Sequence, residues 1–242
     1  MHPVEPAAQC GDMIDPRASA RSSWTLGEAA IVGVLWYTST LSVLLLSMFA
    51  LPSIPSLYSI LRFYQLDAVL PEFVGVVGGV LFAGPLVMWI IRRRKVVSLD
   101  QSIRWDCSNR VFGWSFLCGF LSGIAYSLAK SAVLGRGYEK EGRWYIVAFV
   151  ALAVLAQPAV EELYFRGILF TALAGKVGNI FVTLVVTFLF CVAHPRQQFF
   201  TVLPVAILLG GIRLHTGSVR ACFACHAAYN LSLILFMIRI HL

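Results

Sequence analysis

Charged residues are scarce in this sequence. They make up 13% of the 242 residues, whereas hydrophobic residues make up 59%. Soluble domains typically carry about 25% charged residues, so this chain has too few charges to cover a water-soluble globule. The shortage excludes an ordinary soluble fold and indicates a protein embedded in a lipid bilayer.

The sequence also lacks the alternating segments of about ten residues that are typical of membrane β-barrels. It contains long apolar runs instead. A chain in lipid must satisfy its own backbone hydrogen bonds, and about 20 apolar residues in a helix cross the hydrocarbon core. The sequence therefore predicts an all-α, polytopic transmembrane bundle of about seven to eight helices, from the runs 29–51, 71–91, 111–134, 144–160, 178–194, 199–212 and 219–238.

No linker, repeat or low-complexity tract divides the chain. Composition and the position of the polar residues nevertheless suggest three regions: a polar N-terminal segment at 1–28, N-terminal transmembrane helices at 29–143, and a membrane core at 144–242 that contains the candidate functional residues. The first apolar run is longer than the core of a signal peptide. We therefore expect it to be retained as a membrane anchor.

The net charge of +7 reflects membrane topology rather than nucleic-acid binding. The positive residues cluster at the ends of apolar runs, and the largest cluster lies between the second and third runs. Cytoplasmic loops are enriched in Lys and Arg, so residues 92–110 and the N-terminus are both predicted to be cytoplasmic. The cluster comprises Arg92, Arg93, Arg94, Lys95, Arg104 and Arg110.

The six cysteines do not form an evident disulfide framework, and they identify no redox compartment. Cys222, Cys225 and His226 together match the attachment signature of a c-type haem. That reading requires both thiols to face a porphyrin on an exposed segment, but they lie inside an apolar run. Buried thiols usually behave as small apolar side chains, and we interpret these two as packing residues.

A few polar side chains interrupt the apolar runs, and these are the candidate functional residues. A charged group inside a membrane helix costs roughly 3 kcal/mol on insertion scales, so it persists when it is paired or used. The set comprises Glu161, Glu162, Arg166, His194, His226 and Asn230.

The two adjacent glutamates are expected to differ in their partners. Glu162 and Arg166 are four residues apart, so on a helix they stack on one face and form an ion pair. Glu161 points about 100° away from Glu162 and has no obvious partner in its own segment. The alternative is that Glu161 only marks a hydrated helix end after Pro158.

Counting along the helices brings Glu161 and His194 to the same depth. The residues 175–179, with two glycines and an asparagine, suit a tight connection. Glu161 and His194 lie nearly equal distances before and after it, so in an antiparallel hairpin they can share a water, as general base catalysis requires. His226 and Asn230 lie on one face of the last helix and reach a similar depth.

These residues resemble the CAAX-protease and bacteriocin-processing (CPBP, or Abi) intramembrane proteases, which include the type II CAAX prenyl endopeptidases. The family pattern is Glu-Glu-x-x-x-Arg, then Phe-x-x-x-His, then His-x-x-x-Asn or Asp. The chain has Glu161-Glu162-Leu-Tyr-Phe-Arg166, then Phe190-Cys-Val-Ala-His194, then His226-Ala-Ala-Tyr-Asn230. His215 stands where the family usually has Arg, in the segment before the last helix.

The resemblance implies an intramembrane endopeptidase that acts on a membrane-associated protein or peptide without a cofactor. It implies that Glu161 and His194 activate water, that His226 and Asn230 stabilise the oxyanion, and that Glu162 and Arg166 support the site. A zinc enzyme remains an alternative, since Glu161, His194 and His226 also form a possible ligand set.

Two functions of other classes remain open from the sequence. His194 and His226 on separate helices suit the ligation of a b-type haem, although that reading leaves the glutamates, Arg166 and Asn230 unexplained. A noncatalytic transport or binding protein could use the same polar cluster for an ion or a peptide.

Overall fold

The all-α class is confirmed. The computed structural model describes residues 24–56, 59, 77–78, 81, 84–90, 92–93, 104–134, 152–174, 176–194 and 196–240, and these ranges contain helices and turns but no strand. The predicted polar segment at 1–28 lies largely outside the described residues, as do Arg94 and Lys95 of the positive cluster and much of the predicted run 71–91.

Six helices carry the described fold, and residues 84–90 form part of a seventh. The third helix, α3, is continuous over residues 152–174 but changes its winding along its length. The bounds are α1 Leu26–Ala50, α2 Asn109–Leu134, α3 at 152–174, α4 Asn179–Val192, α5 Phe199–Thr216 and α6 Val219–Ile240.

Four of these helices are long and apolar enough to cross a membrane: α1, α2, α5 and α6. The helix α4 is apolar but shorter. The protein is therefore an integral membrane protein. The predicted runs at 29–51, 111–134, 178–194, 199–212 and 219–238 correspond to helices, with ends that differ by a few residues.

The helix ends are fixed by polar caps that the sequence supplies. Thr25 and Glu28 exchange hydrogen bonds with each other's main chain at the start of α1, which is a capping box. The Ser218 hydroxyl accepts the Ala221 amide at the start of α6. Gly217 ends α5 in the left-handed conformation, at φ 65°, which glycine adopts without a steric penalty.

The predicted run 144–160 does not end at residue 160, because α3 continues through the glutamates to Ala174. Pro158 has no amide hydrogen to donate, and a π-helical turn at Leu152–Ala156 directly precedes the α-helical stretch that contains it. A second π-helical segment covers Leu163–Leu169. Wide turns of this kind are frequent at functional sites.

The helix α2 packs closely against α6 through small residues. Ser115, Gly119, Gly123 and Ser127 follow one another at every fourth position, and all four are buried. A side chain at Gly119 would collide with the Cys225 carbonyl. Small residues at this spacing let membrane helices approach closely. The helix α2 therefore forms one wall beside α6.

The connection before α2 and the connection before α6 lie at the same end of the bundle. The Val219 amide donates to the Arg104 carbonyl at 2.9 Å, and the Trp105 ring lies 6.0 Å from the Phe223 ring. The segment at 196–198 lies at the opposite end, because α5 separates it from Gly217.

The close contact between α2 and α6 can be tested with two glycines of the same helix. We expect Gly119→Ala to destabilise the protein by about 1–3 kcal/mol, since an added methyl group must displace the α6 backbone. Gly113→Ala is the control, because no atom lies within 4 Å of the position that a methyl group would take there. Thermal unfolding in detergent measures both. Equal melting temperatures would contradict the packing.

Candidate active site

Three helical elements bring Glu161, His194 and His226 together. Glu161 lies in the middle of α3, His194 follows the end of α4 by two residues, and His226 lies in the second turn of α6. The exposed fractions of the three side chains are 8%, 16% and 6%. The cluster is therefore buried, and His194 is its most accessible member.

The Glu161 carboxylate lies between the two imidazole rings. Its Oε1 is 4.0 Å from His194 Nε2, and its Oε2 is 3.9 Å from His226 Nε2. Gln157, one turn earlier in α3, donates to Oε1 at 2.8 Å. Glu161 thus has a partner in its own helix, contrary to the sequence expectation. The burial of the whole residue also contradicts the alternative of a hydrated helix end.

The orientation of His194 is fixed by its own helix. Its Nδ1 lies 2.8 Å from the Phe190 carbonyl oxygen, and a carbonyl can only accept, so Nδ1 carries the hydrogen. In the neutral ring Nε2 then has a free lone pair. That lone pair is on the nitrogen nearest to Glu161, where it can accept a hydrogen bond from a water.

His226 contacts both glutamates. Its Nδ1 lies 2.9 Å from Glu162 Oε1 and donates to that carboxylate, while its Nε2 faces Glu161. This hydrogen bond to a carboxylate fixes the tautomer with the hydrogen on Nδ1. Nε2 is therefore the nitrogen of His226 that faces Glu161.

Glu162 connects His226 to Arg166. Its Oε1 also accepts from Arg166 Nη1 at 3.1 Å, so the predicted i,i+4 ion pair is present. Both side chains are almost completely enclosed. Their second polar atoms, Oε2 and Nη2, are buried and have no hydrogen-bond partner within the described residues. One carboxylate oxygen therefore stabilises two donors from different helices.

Phe190 packs against both histidines and against the buried cation. Its ring lies 4.8 Å from the His194 ring and 5.8 Å from the His226 ring, and the Arg166 guanidinium carbon lies 4.1 Å from its centroid. A cation over a ring face is attracted by the ring quadrupole. Phe190, which belongs to the second motif, thus packs against Arg166 of the first motif and His226 of the third.

Asn230 lies one turn after His226 on α6 and is partly buried. Its spacing places it on the same helical face as His226. The structure therefore puts all four predicted catalytic side chains on the three helical elements that form the cluster.

A metal site is not evident from the arrangement of ligands. Within the described ranges, no three His, Cys, Asp or Glu side chains are arranged to hold a metal ion. The alternative zinc set of Glu161, His194 and His226 is brought together, with nitrogen–oxygen separations of 4.0 Å and 3.9 Å.

The two cysteines of the haem-like motif are packing residues. Cys222 and Cys225 are fully buried in a cluster with Val205, Leu209 and Tyr229. Neither thiol reaches the surface of the described structure.

Two side chains at the site were missed by the sequence analysis. Gln157 could have been found, since Gln157 and Glu161 are separated by four residues. Arg213 is 4% exposed and lies just beyond the predicted run 199–212, so it was not counted among the intramembrane charges.

The fold and this cluster define a polytopic membrane protein with a largely enclosed cluster of two glutamates, two histidines and an arginine. Residues 142–232 match the family model described as type II CAAX prenyl endopeptidase Rce1-like. The resemblance carried by the three motifs is thereby confirmed for this part of the chain, which includes α3 to most of α6.

A curated relative is "Uncharacterized protein YyaK" of Bacillus subtilis (strain 168). It is 29% identical to this chain over 178 residues, which cover 65% of this chain and 58% of the relative. The match thus spans less than two thirds of the relative's length. No solved structure matches the chain.

The different contacts of the two glutamates can be tested by stability. We expect Glu162→Gln to lower the folded yield and the free energy of unfolding by about 3–5 kcal/mol, because Arg166 would lose its buried charge partner. Glu161→Gln retains the shape and an acceptor for Gln157, so it should unfold near the wild-type temperature. Scanning calorimetry in detergent compares them. Greater damage from Glu161→Gln would contradict the assignment.

Proposed function

We propose that the protein is an intramembrane endopeptidase that hydrolyses a peptide bond of a membrane-associated protein or peptide. The family match supports protease chemistry. The observation that carries the proposal is the Glu161 carboxylate between the Nε2 atoms of His194 and His226, inside a bundle of apolar helices.

In this proposal Glu161 and His194 activate water. The 4.0 Å between Glu161 Oε1 and His194 Nε2 is too long for a direct hydrogen bond, but one water can bridge it. The water donates to both acceptors, attacks the carbonyl carbon of the peptide bond, and transfers a proton to Glu161. Glu161 then delivers that proton to the leaving amine as the C–N bond breaks.

His226 and Asn230 stabilise the oxyanion that forms during this attack. His226 Nδ1 donates to Glu162, so His226 can donate to the oxyanion only when Nε2 is also protonated. The Asn230 amide supplies a second donor from the next turn of α6. Donors held in a dry site stabilise the transition state strongly.

We propose a mechanism without a metal. Each Glu161 oxygen is close to one histidine nitrogen, which suits hydrogen-bonded water. A b-type haem fits less well, because the carboxylate occupies the space between the two nitrogens that would have to ligate iron. The lipid bilayer is the protein's environment, and its substrate is a membrane protein or peptide rather than a nucleic acid.

The proposed activity is tested through Glu161. We expect Glu161→Gln to abolish proteolysis while the protein still folds, because the amide cannot accept the proton from water. Comparing the N- and C-termini of membrane proteins from cells with wild-type and Glu161→Gln protein should reveal termini that depend on Glu161. Identical termini in the two strains, with both proteins present, would reject the peptidase.

The two histidines are expected to differ in severity. His194→Ala should be nearly inactive, whereas His226→Ala and Asn230→Ala should each lose about 10²- to 10³-fold in rate, as is typical for one oxyanion donor. The assay is cleavage of a synthetic peptide covering a Glu161-dependent terminus. Cys222→Ala combined with Cys225→Ala is the control and should remain close to wild type.

A zinc enzyme would give a different result in the same series. His226→Ala would then match His194→Ala, a chelator would silence the wild type, and elemental analysis would find about one zinc per chain that both variants lose. That outcome would replace the metal-free mechanism but keep the peptidase.

We also propose that residues 92–110 and the N-terminus face the cytoplasm. Arg104 and Cys107 lie in this loop, at the bundle end that also carries Gly217. A membrane-impermeant thiol reagent added to intact cells should therefore spare Cys107 and label a Gln198→Cys variant at the opposite end. The reverse labelling pattern would invert the topology.

A further inference from the structure

Arg213 is a buried cation that none of the three motifs contains. It lies in the last turn of α5 and is 4% exposed. Its Nε donates to the main-chain carbonyl of Arg166 at 2.9 Å, and its Nη1 donates to the main-chain carbonyl of Gly217. Both partners are backbone atoms, so the guanidinium connects two stretches of main chain.

These two stretches are the ones that present Glu162 and His226 to each other. The Arg166 carbonyl belongs to the π-helical segment of α3 that follows Glu162 directly. Gly217 belongs to the turn that leads through Ser218 into α6, which carries His226. The Glu162–His226 hydrogen bond therefore joins α3 to α6 directly. Arg213 joins the same two segments nearer the start of α6, through the carbonyls of Arg166 and Gly217.

We propose that Arg213 is a positioning residue for His226 in the proposed peptidase reaction. By fixing the Arg166 carbonyl relative to the Gly217 carbonyl, it sets the distance at which His226 meets Glu162. The proposal rests on the proposed function, since the readout that matters is the oxyanion role of His226. Arg213 itself does not touch the reacting atoms.

Besides positioning the main chain, Arg213 also contributes a positive charge to the buried cluster. The two effects have to be tested separately. The buried carboxylates in the described ranges are those of Glu161 and Glu162, and the buried guanidiniums are those of Arg166 and Arg213. A lysine at 213 would retain this balance. It would not reproduce the planar fork with which arginine donates in two fixed directions.

The experiment compares Arg213→Met and Arg213→Lys with Arg220→Met. Arg220 is a matched control, because it lies near the same turn, is only partly buried and stacks on Phe112. We expect Arg213→Lys to fold but to lose on the order of 10²-fold in kcat with KM unchanged, as small misplacements of catalytic groups do. Arg213→Met should lose at least as much, and Arg220→Met should keep wild-type kinetics.

Cleavage of the synthetic peptide that depends on Glu161 provides the rate constants. Arg213→Lys decides the question if Arg213→Met does not fold. Wild-type kcat in Arg213→Lys would overturn the proposal, because charge alone would then suffice. A rise in KM with unchanged kcat would also overturn it, since that result indicates substrate binding instead of His226 placement.

A measurement without substrate separates this proposal from the proposed function. In protein with 15N-labelled histidine, the Nδ1 hydrogen of His226 should give a resonance shifted by its bond to Glu162. We expect Arg213→Lys to shift or broaden this resonance and Arg220→Met to leave it unchanged. An unchanged resonance in Arg213→Lys overturns the positioning role, whether or not the wild type cleaves a peptide.

Discussion

The site depends on one buried carboxylate oxygen, Oε1 of Glu162, which accepts from both Arg166 and His226. Burying a charge in a membrane protein is costly unless it is paired and hydrogen-bonded. Here one carboxylate accepts hydrogen bonds from donors on two helices. The Glu162–Arg166 pair lowers the cost of burying charge in α3, and the same carboxylate also binds His226 of α6. The position of His226 thus depends on the same carboxylate oxygen that pairs with Arg166.

This coupling gives the two adjacent glutamates distinct environments. Glu162 is fully enclosed and held from two sides, whereas Glu161 receives one hydrogen bond from Gln157 and faces two imidazole nitrogens at about 4 Å. Neighbouring positions on a helix point about 100° apart. A two-residue Glu-Glu sequence can therefore supply two carboxylates with different partners at the same depth, and the proposed function uses only Glu161 as the reactive one.

Much of this arrangement could be predicted from spacing. The apolar runs indicated the all-α membrane fold, the four-residue separation indicated the Glu162–Arg166 pair, and counting from the turn at 175–179 placed Glu161 level with His194. The contact of Glu162 with His226 could not be predicted, because it depends on the tilt of α6 relative to α3. The π-helical turns and the backbone contacts of Arg213 also could not be predicted from the sequence, because they depend on the packing of the helices and not on the spacing of residues.

The glycine-lined contact between α2 and α6 has a consequence for motion. In α6, 61% of the most apolar window is buried, against 11% in α1, and Gly119 and Gly123 leave no slack for α6 to slide past α2. The helix that carries His226 and Asn230 is therefore packed closely against α2. A peptide that enters between helices other than α2 and α6 would therefore disturb the proposed oxyanion donors least.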